Sequence, residues 1–170
     1  MKVINLIGGP SAGKSTLALG LAYEMKKAGY NVELVTEYAK DIIWEERMNL
    51  LEQQEYIFAK QNRKLYRLRK KVDFVITDSP LFLNLFYLKK SKTPAIFSEF
   101  IKEVMKTYDN EYFFVNRAYP YDPVGRYQTE KEANEVSNEL KQIMIDENLS
   151  FKEVISSDKD IQRIIREVTQ

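Results

Sequence analysis

A nine-residue segment near the start of the chain limits its fold more than any other feature. The segment follows the apolar run Val3–Ile7 and precedes a helical pattern from Lys14 to Ala28. Its residues are Gly8, Gly9, Pro10, Ser11, Ala12, Gly13, Lys14, Ser15 and Thr16. They fit G-x-x-x-x-G-K-[ST] without a gap, which is typical of a loop that cradles phosphate between a buried strand and a helix.

The residue types of this phosphate loop indicate ATP and Mg²⁺ as ligands. Glycines let backbone N–H groups curl around an anion, and the following helix directs its positive end at the same anion. In this pattern the lysine, Lys14, reaches the β- and γ-phosphates, and the hydroxyl of Ser15 ligates Mg²⁺. All nine residues are therefore predicted to contact ATP.

The remaining periodicity predicts an α/β fold. Strand, helix and strand within the first 35 residues form a βαβ unit, which implies a parallel sheet. Further strands are predicted at 74–77, 112–115 and 151–155, and helices at 38–71 with a break near Asn49, 81–89, 95–108, 129–146 and 157–168. Thr129 and Glu132 predict a capping box. We expect one P-loop NTPase domain over residues 1–170, with about five parallel strands flanked by helices.

Composition excludes several kinds of chemistry. The chain has no Cys and no His. Disulfides, thiolate zinc sites and cysteine nucleophiles are excluded, and any general base is a carboxylate, Lys or Tyr. Its 44% hydrophobic residues are enough to build a core, and its formal charge of +1 argues against a strongly basic nucleic-acid arm.

No apolar run approaches membrane-spanning length and Met1–Ile7 lacks a secretory pattern, so we expect a cytoplasmic protein without a membrane partner.

Two acids follow predicted strands. Asp78 ends the strand 74–77, where P-loop proteins place an acid near Mg²⁺, although an acid before Ser79-Pro80 also fits a turn. Glu37 follows the second strand, at the carboxyl edge where open α/β sheets bind ligands. An acid there can accept a proton from an attacking hydroxyl. The alternative is that Glu37 caps the next helix or places a favourable charge at its start.

Four blocks together resemble a known group of enzymes. They are the phosphate loop, Val35–Asp41, Ala59-Lys60-Gln61 and Thr77–Pro80. They look like the nicotinamide riboside kinase branch of the P-loop kinases. They are also similar to deoxyribonucleoside kinases and to small phage-encoded kinases, some of which act on hydroxymethylated bases in DNA. The resemblance covers roughly residues 1–130.

The resemblance implies roles for individual residues. Glu37 would match the general base, with Tyr38 beside it at the acceptor site, and Asp78 the acid near Mg²⁺. Gln54 and Gln61, seven residues apart on one helix face, would read the base or amide of the acceptor. Gln61 is also compatible with a solvated helix position. Deoxyribonucleoside kinases have Glu-Arg-Ser where this chain has Asp78-Ser79-Pro80, so their arginine is missing here.

The segment from about 116 to 128 occupies the position of the lid in this kinase class. There Arg126 would neutralise charge on the transferring phosphoryl group, and Arg117 would stack on adenine or contact phosphate. The alternative is an ordinary surface loop with solvated arginines.

Seven of the twelve residues from Lys60 to Lys71 are Lys or Arg. Either this basic segment is the solvated face of an amphipathic helix or it binds a nucleic acid. Arg47 or Arg63 could alternatively bind the phosphate of a nucleotide acceptor.

Together these features predict an ATP- and Mg²⁺-dependent kinase that phosphorylates a hydroxyl of a nucleoside-like small molecule. The alternatives are a kinase for nucleoside monophosphates, a kinase for a base or end of DNA, and an ATP-binding interaction module with weak ATPase activity. A homodimer remains open.

Overall fold

A computed structural model describes residues 1–89, 91–122 and 129–170, which fold around one parallel sheet. Its strands are β1 (Lys2–Ile7), β2 (Val32–Val35), β3 (Phe74–Thr77), β4 (Asp109–Asn116) and β5 (Lys152–Ile155). Their order across the sheet is β2-β3-β1-β4-β5, and all four pairings are parallel. The predicted α/β class and the five parallel strands are confirmed.

Helices flank this sheet on both faces. They are α1 (Lys14–Lys27), α2 (Tyr38–Trp44), α3 (Gln54–Tyr66), α4 (Leu83–Leu88), α5 (Phe97–Lys106), α6 (Glu130–Asp146) and α7 (Asp158–Thr169), with a 3₁₀ helix at Met48–Glu52. The capping box of Thr129 and Glu132 is confirmed at the start of α6. Ser157 caps α7 by accepting a hydrogen bond from the backbone N–H of Asp160.

Two predicted boundaries were wrong. The helix predicted to continue to residue 71 ends at Tyr66. A helix through residue 71 is incompatible with the backbone of Lys70, which has a positive φ of 59°. β4 begins at Asp109, three residues before the predicted start. Its first residues are polar, yet they pair with β1, and the Asn5 side chain donates a hydrogen bond to Asn110 Oδ1 (3.0 Å).

The central strand β1 separates two apolar layers. Val3 and Ile7 pack into the cluster on the face of α3, α4, α5 and α6. Ile4 and Leu6 pack on the other face, with apolar residues of α1 and α7. A strand covered on both faces needs apolar side chains on both, which explains Val3, Ile4, Leu6 and Ile7. The buried exception is Asn5, whose Nδ2 donates to the backbone oxygen of Val3 and to Asn110 Oδ1.

The carboxyl ends of the strands meet at one edge of the sheet. β1 leads into the phosphate loop, β2 ends next to Glu37, β3 ends next to Asp78, and β4 ends next to Arg117. Parallel strands therefore bring together four segments that are up to about a hundred residues apart. None of the helices in the described residues is long and apolar enough to cross a membrane.

Candidate active site

The phosphate loop is held between neighbouring elements so closely that none of its three glycines has room for a side chain. A Cβ on Gly8 would lie 2.5 Å from the backbone oxygen of Val115 in β4. A Cβ on Gly9 would lie 2.8 Å from the backbone oxygen of Ala133 in α6. Gly13 has a φ of +87°, a left-handed conformation that side chains disfavour, and its Cβ would lie 2.9 Å from Ser156 Cβ. The loop thus touches both α6 and the turn after β5.

Three functional groups of the predicted nucleotide site lie together at the start of α1. Lys14 Nζ donates hydrogen bonds to the backbone oxygens of Gly8 (2.9 Å) and Gly9 (3.0 Å). Ser15 Oγ donates to Asp78 Oδ2 at 2.6 Å. The remaining carboxylate oxygen, Asp78 Oδ1, is buried and makes no hydrogen bond within the described part of the chain.

This donor set fits a magnesium ion. Mg²⁺ favours oxygen ligands and is bound by one or two protein groups together with phosphates and water. The hydroxyl of Ser15 and the carboxylate of Asp78 are such ligands, and a buried carboxylate oxygen without a partner needs a cation or a donor. No cluster of three or more acidic residues suited to a metal occurs among the described residues.

Glu37 lies near these groups. It occupies the N-cap position of α2, but its side chain makes no capping hydrogen bond, so only the charge of Glu37 is left to favour the start of this helix. Burial raises the pKa of the Glu37 carboxyl above its usual value, whereas nearby Lys14 lowers this pKa and nearby Asp78 raises it. These influences place the carboxyl within electrostatic range of both the lysine of the phosphate loop and the acid after β3.

Tyr87 of α4 lies within electrostatic range of Glu37. Burial, with a smaller contribution from the charge of Glu37, raises the pKa of the Tyr87 hydroxyl to about 12. Yet the side chain is 44% exposed.

Gln61 holds the backbone on both sides of Glu37. Its Oε1 accepts a hydrogen bond from the backbone N–H of Tyr38 (2.9 Å), and its Nε2 donates to the backbone oxygen of Thr36 (3.4 Å). Only 2% of Gln61 is exposed, so the solvated-helix alternative is wrong. The amide of Gln61 is therefore engaged with the turn that carries Glu37.

Gln54 lies on the same face of α3, two helical turns before Gln61. Its side chain is 5% exposed, and Nε2 donates to the backbone oxygen of Leu51 at 2.8 Å. Its Oε1 is buried without a hydrogen-bond partner in the described residues.

Tyr38 and Arg63 occupy different environments. The hydroxyl of Tyr38 shares a hydrogen bond of 2.9 Å with that of Tyr56, and the ammonium groups of Lys60 and Lys64 lie 6.0 and 5.6 Å from the centre of its ring. Arg63 is exposed and lies two residues, or about 200°, from Gln61 around α3. The structure therefore does not bring Arg63 to the turn that carries Glu37.

Arg117 lies against the phosphate loop. It donates from Nη2 to the backbone oxygen of Pro10 (3.4 Å) and from Nη1 to Glu130 (3.3 Å), and its guanidinium is 5.1 Å from the centre of the Tyr121 ring. A cleft of about 320 Å³ beside it is lined by Gly9, Pro10, Ala12, Asn134, Ser137 and Asn138. The predicted lid residue Arg126 belongs to segment 123–128 and lies outside the described residues.

The positively charged side chains of the basic segment, Lys60 to Lys71, contact different neighbouring residues. Lys64 pairs with Asp41 at 2.9 Å, and Arg69 lies over the Tyr108 ring at 4.1 Å from its centre. Lys60 lies over the Tyr56 ring at 5.3 Å. These cations contact several parts of the protein, which favours the amphipathic-helix alternative over a continuous nucleic-acid surface.

Sequence reasoning missed two residues of α4: Asn84, which is buried, and Tyr87, which lies within electrostatic range of Glu37. Asn84 is 4% exposed, and its Oδ1 is another buried oxygen without a hydrogen-bond partner among the described residues. A polar residue in the apolar run Leu81–Phe86 was the available signal, because buried polar groups are informative exceptions.

Comparison with known proteins agrees with this geometry. A family model described as an AAA domain matches residues 3–162. No curated protein matches the sequence. Solved structures with the same fold include NadR in complex with NR, which is 16% identical with a TM-score of 0.75 over 99% of this chain and 52% of NadR. The chain thus spans about half of the length of NadR.

Two further solved structures match over nearly their whole length. YorR from Bacillus subtilis, in complex with phosphorylated GDP, is 21% identical with a TM-score of 0.61, over 98% of this chain and 95% of YorR. Deoxyadenosine kinase from M. mycoides, with bound dATP, is 19% identical with a TM-score of 0.57, over 100% of both chains. The predicted resemblance to small P-loop kinases is confirmed at the level of the fold.

Proposed function

This chain belongs to the AAA domain family, and we propose that it is an ATP- and Mg²⁺-dependent kinase that phosphorylates a hydroxyl of a nucleoside-like acceptor. The observation that carries the proposal is the position of Glu37. An acid with no capping hydrogen bond lies within electrostatic range of Lys14 and Asp78, where phosphoryl transfer to an alcohol needs a base.

On the nucleotide side, Gly8 to Thr16 would hold the phosphates of ATP. Lys14 would exchange its bonds to the loop backbone for the β- and γ-phosphates, and Arg117 would contact the nucleotide from the cleft beside Pro10. Ser15 and Asp78 would hold Mg²⁺, which neutralises charge on the phosphates. Arg126 remains the proposed source of further positive charge at the transferring group.

On the acceptor side, Glu37 would orient the hydroxyl and accept its proton. The hydroxyl oxygen would bond to the γ-phosphorus as the bond from that phosphorus to the β–γ bridging oxygen breaks, and ADP would leave. A carboxyl whose pKa is raised is better matched to this task near neutral pH than an ordinary glutamate.

The proposed acceptor is a small molecule. NadR, YorR and the deoxyadenosine kinase have nucleoside- or nucleotide-like ligands in their structures, which supports this class. These comparisons support neither a nucleic-acid partner nor a homodimer.

The test is transfer of label from γ-³²P-ATP with Mg²⁺ into a panel of acceptors. The panel contains nucleosides, nicotinamide riboside, nucleoside monophosphates, and DNA with normal or hydroxymethylated bases. We expect label in a nucleoside-like small molecule, and none when EDTA replaces Mg²⁺.

Other outcomes would replace the proposal by one of its alternatives. Label in a monophosphate would make the protein a nucleotide kinase. Label in DNA, with an affinity that falls steeply with salt, would give the basic segment a binding role. Free phosphate alone would favour an ATP-binding module with weak ATPase activity.

A further inference from the structure

Ser11 of the phosphate loop has a backbone conformation that is unusual for a serine. Its φ is +62°, in the left-handed region that glycine adopts without strain. The turn around it runs from Gly9 to Ala12, whose N–H donates to the Gly9 backbone oxygen at 3.4 Å. Proline at the second position and a positive φ at the third are features of a type II turn, where the third residue is usually glycine. A serine at this position is strained, and strain beside a ligand site points to a role for the side chain.

The Ser11 hydroxyl contacts the segment that follows β4. Its Oγ accepts a hydrogen bond from the backbone N–H of Asp122 at 3.3 Å. One residue earlier in the loop, the Pro10 backbone oxygen accepts a hydrogen bond from Arg117 Nη2 at 3.4 Å. Residues 117–122 are therefore attached to two neighbouring residues of the phosphate loop, once through a side chain of the segment and once through its backbone.

These contacts determine the place of the Arg117 guanidinium. The centre of the Tyr121 ring lies 5.1 Å from it, and Tyr121 immediately precedes the residue that Ser11 holds. The Arg117 side chain is 15% exposed and lines the cleft beside the phosphate loop. Because the segment begins at the end of β4 and is attached again to the loop at Asp122, the side chain between these two points has few alternative positions.

We propose that Ser11 is a positioning residue whose hydroxyl holds residues 117–122 against the phosphate loop and thereby places Arg117 at the bound nucleotide. Ser11 acts through Arg117, so its hydroxyl touches neither ATP nor the acceptor. Glycine at position 11 would relieve the strain in the turn but would leave the segment without this attachment. The inference rests on the proposed function in one respect, namely that the phosphate loop binds ATP.

Ser11→Gly tests this role, because it removes the hydroxyl and suits the backbone. Calorimetry with Mg²⁺ and a non-hydrolysable ATP analogue measures the affinity without any transfer. We expect the dissociation constant to rise roughly three- to tenfold, the size of effect that loss of one hydrogen bond produces. The melting temperature should stay close to that of the wild type, because glycine relieves the strain at positive φ but gains freedom in the unfolded chain.

A double-mutant cycle with Arg117→Ala separates this role from two others. Arg117→Ala alone should weaken binding, and adding Ser11→Gly should weaken it no further, because the hydroxyl acts through the guanidinium. A hydroxyl that contacts the nucleotide itself, or a loop made flexible by glycine, would instead weaken binding by the same factor in both backgrounds. Asn148→Gly is the matched control, because Asn148 is exposed after the end of α6 and has a positive φ of 54°, and its affinity should equal that of the wild type.

Hydrogen exchange measured by NMR observes the contact itself. In the nucleotide-free protein, the backbone N–H of Asp122 should exchange several-fold faster in Ser11→Gly than in the wild type, because its hydrogen-bond acceptor is gone. Exchange in the buried part of α1 should be the same in both proteins.

These measurements distinguish failure of this inference from failure of the proposed function, since neither needs an acceptor. A wild type that binds the analogue but transfers no label would overturn the kinase and leave the role of Ser11 supported. Unchanged affinity or unchanged exchange in Ser11→Gly, or equal factors in the two backgrounds of the cycle, would overturn the role of Ser11 whatever the enzyme phosphorylates. A wild type that does not bind the analogue would overturn both.

Discussion

The two sides of the cleft are built in different ways. The nucleotide side is one continuous segment whose shape depends on the backbone, since Gly9 and Gly13 have no room for a Cβ and Lys14 is held by backbone oxygens. The proposed acceptor side depends on side chains from separate parts of the chain, Glu37 just before α2 and Gln61 on α3. A site built from backbone has a fixed spacing in sequence, whereas a site built from side chains on separate helices has none.

This contrast predicts different consequences of substitution. A change on the nucleotide side should affect every reaction of ATP, whereas a change on the acceptor side should affect transfer to the acceptor and spare hydrolysis of ATP by water.

The largest effect is expected on the nucleotide side. Lys14→Ala should lower phosphoryl transfer by roughly 10³- to 10⁵-fold, because removing a cation from the transferring group has costs in this range. Hydrolysis without acceptor should fall in parallel, while the melting temperature stays close to that of the wild type. Lys27→Ala, at the exposed end of α1, is the control with normal activity. Near-normal transfer by Lys14→Ala would contradict the assignment of the loop.

On the acceptor side, Glu37→Gln should lower kcat for transfer by about 10²–10⁴-fold, because it removes the proton acceptor. Hydrolysis of ATP by water should change much less. In the wild type, kcat/KM should decline toward acid pH with an apparent pKa above 4.5, the ordinary value for glutamate, because burial raises the pKa of this carboxyl. Equal losses in transfer and hydrolysis would instead place Glu37 on the nucleotide side.

A smaller effect is expected for Gln61, which positions Glu37 through the backbone of residues 36 and 38. Gln61→Met keeps the length of the side chain and removes both hydrogen bonds. We expect kcat to fall roughly 10- to 10²-fold with little change in acceptor KM, because misplaced catalytic groups have costs of this size. Gln142→Met, on the exposed face of α6, is the control. A rise in KM alone would indicate that Gln61 contacts the acceptor.

The smallest effect is one of stability. Because the pKa of Glu37 is raised in the folded protein, folding favours its protonated form, and stability is lost as the pH rises through the folded pKa. Glu37→Gln should therefore raise the free energy of unfolding at pH 8, where the wild-type carboxyl is charged in a partly desolvated site. The difference from wild type should vanish below about pH 4, where both side chains are neutral. Denaturant titrations at the two pH values measure it, and Glu135→Gln, an exposed change on α6, should show no such dependence.

The sequence predicted the phosphate loop between β1 and α1, because the spacing from Gly8 to Ser15 carries its geometry. It also predicted that Glu37 and Asp78 meet at one edge of the sheet, because parallel strands place their carboxyl ends together. It did not separate Gln54 from Gln61, since helical spacing gives the shared face but not the partner of each amide. Asn84 was missed for a related reason, as its environment depends on how α4 packs against α3.

The central position of β1 affects how the chain folds during synthesis. β1 is made first, but its neighbours in the sheet are β3 and β4, and β3 begins almost seventy residues later. At ribosomal rates of 5–20 residues per second, the apolar segment Val3–Ile7 waits roughly 3–14 s for its first partner. β2 also pairs with β3, so neither β1 nor β2 can join the sheet before β3 has been synthesised. We expect the nascent chain to need protection by chaperones until β3 has left the ribosome.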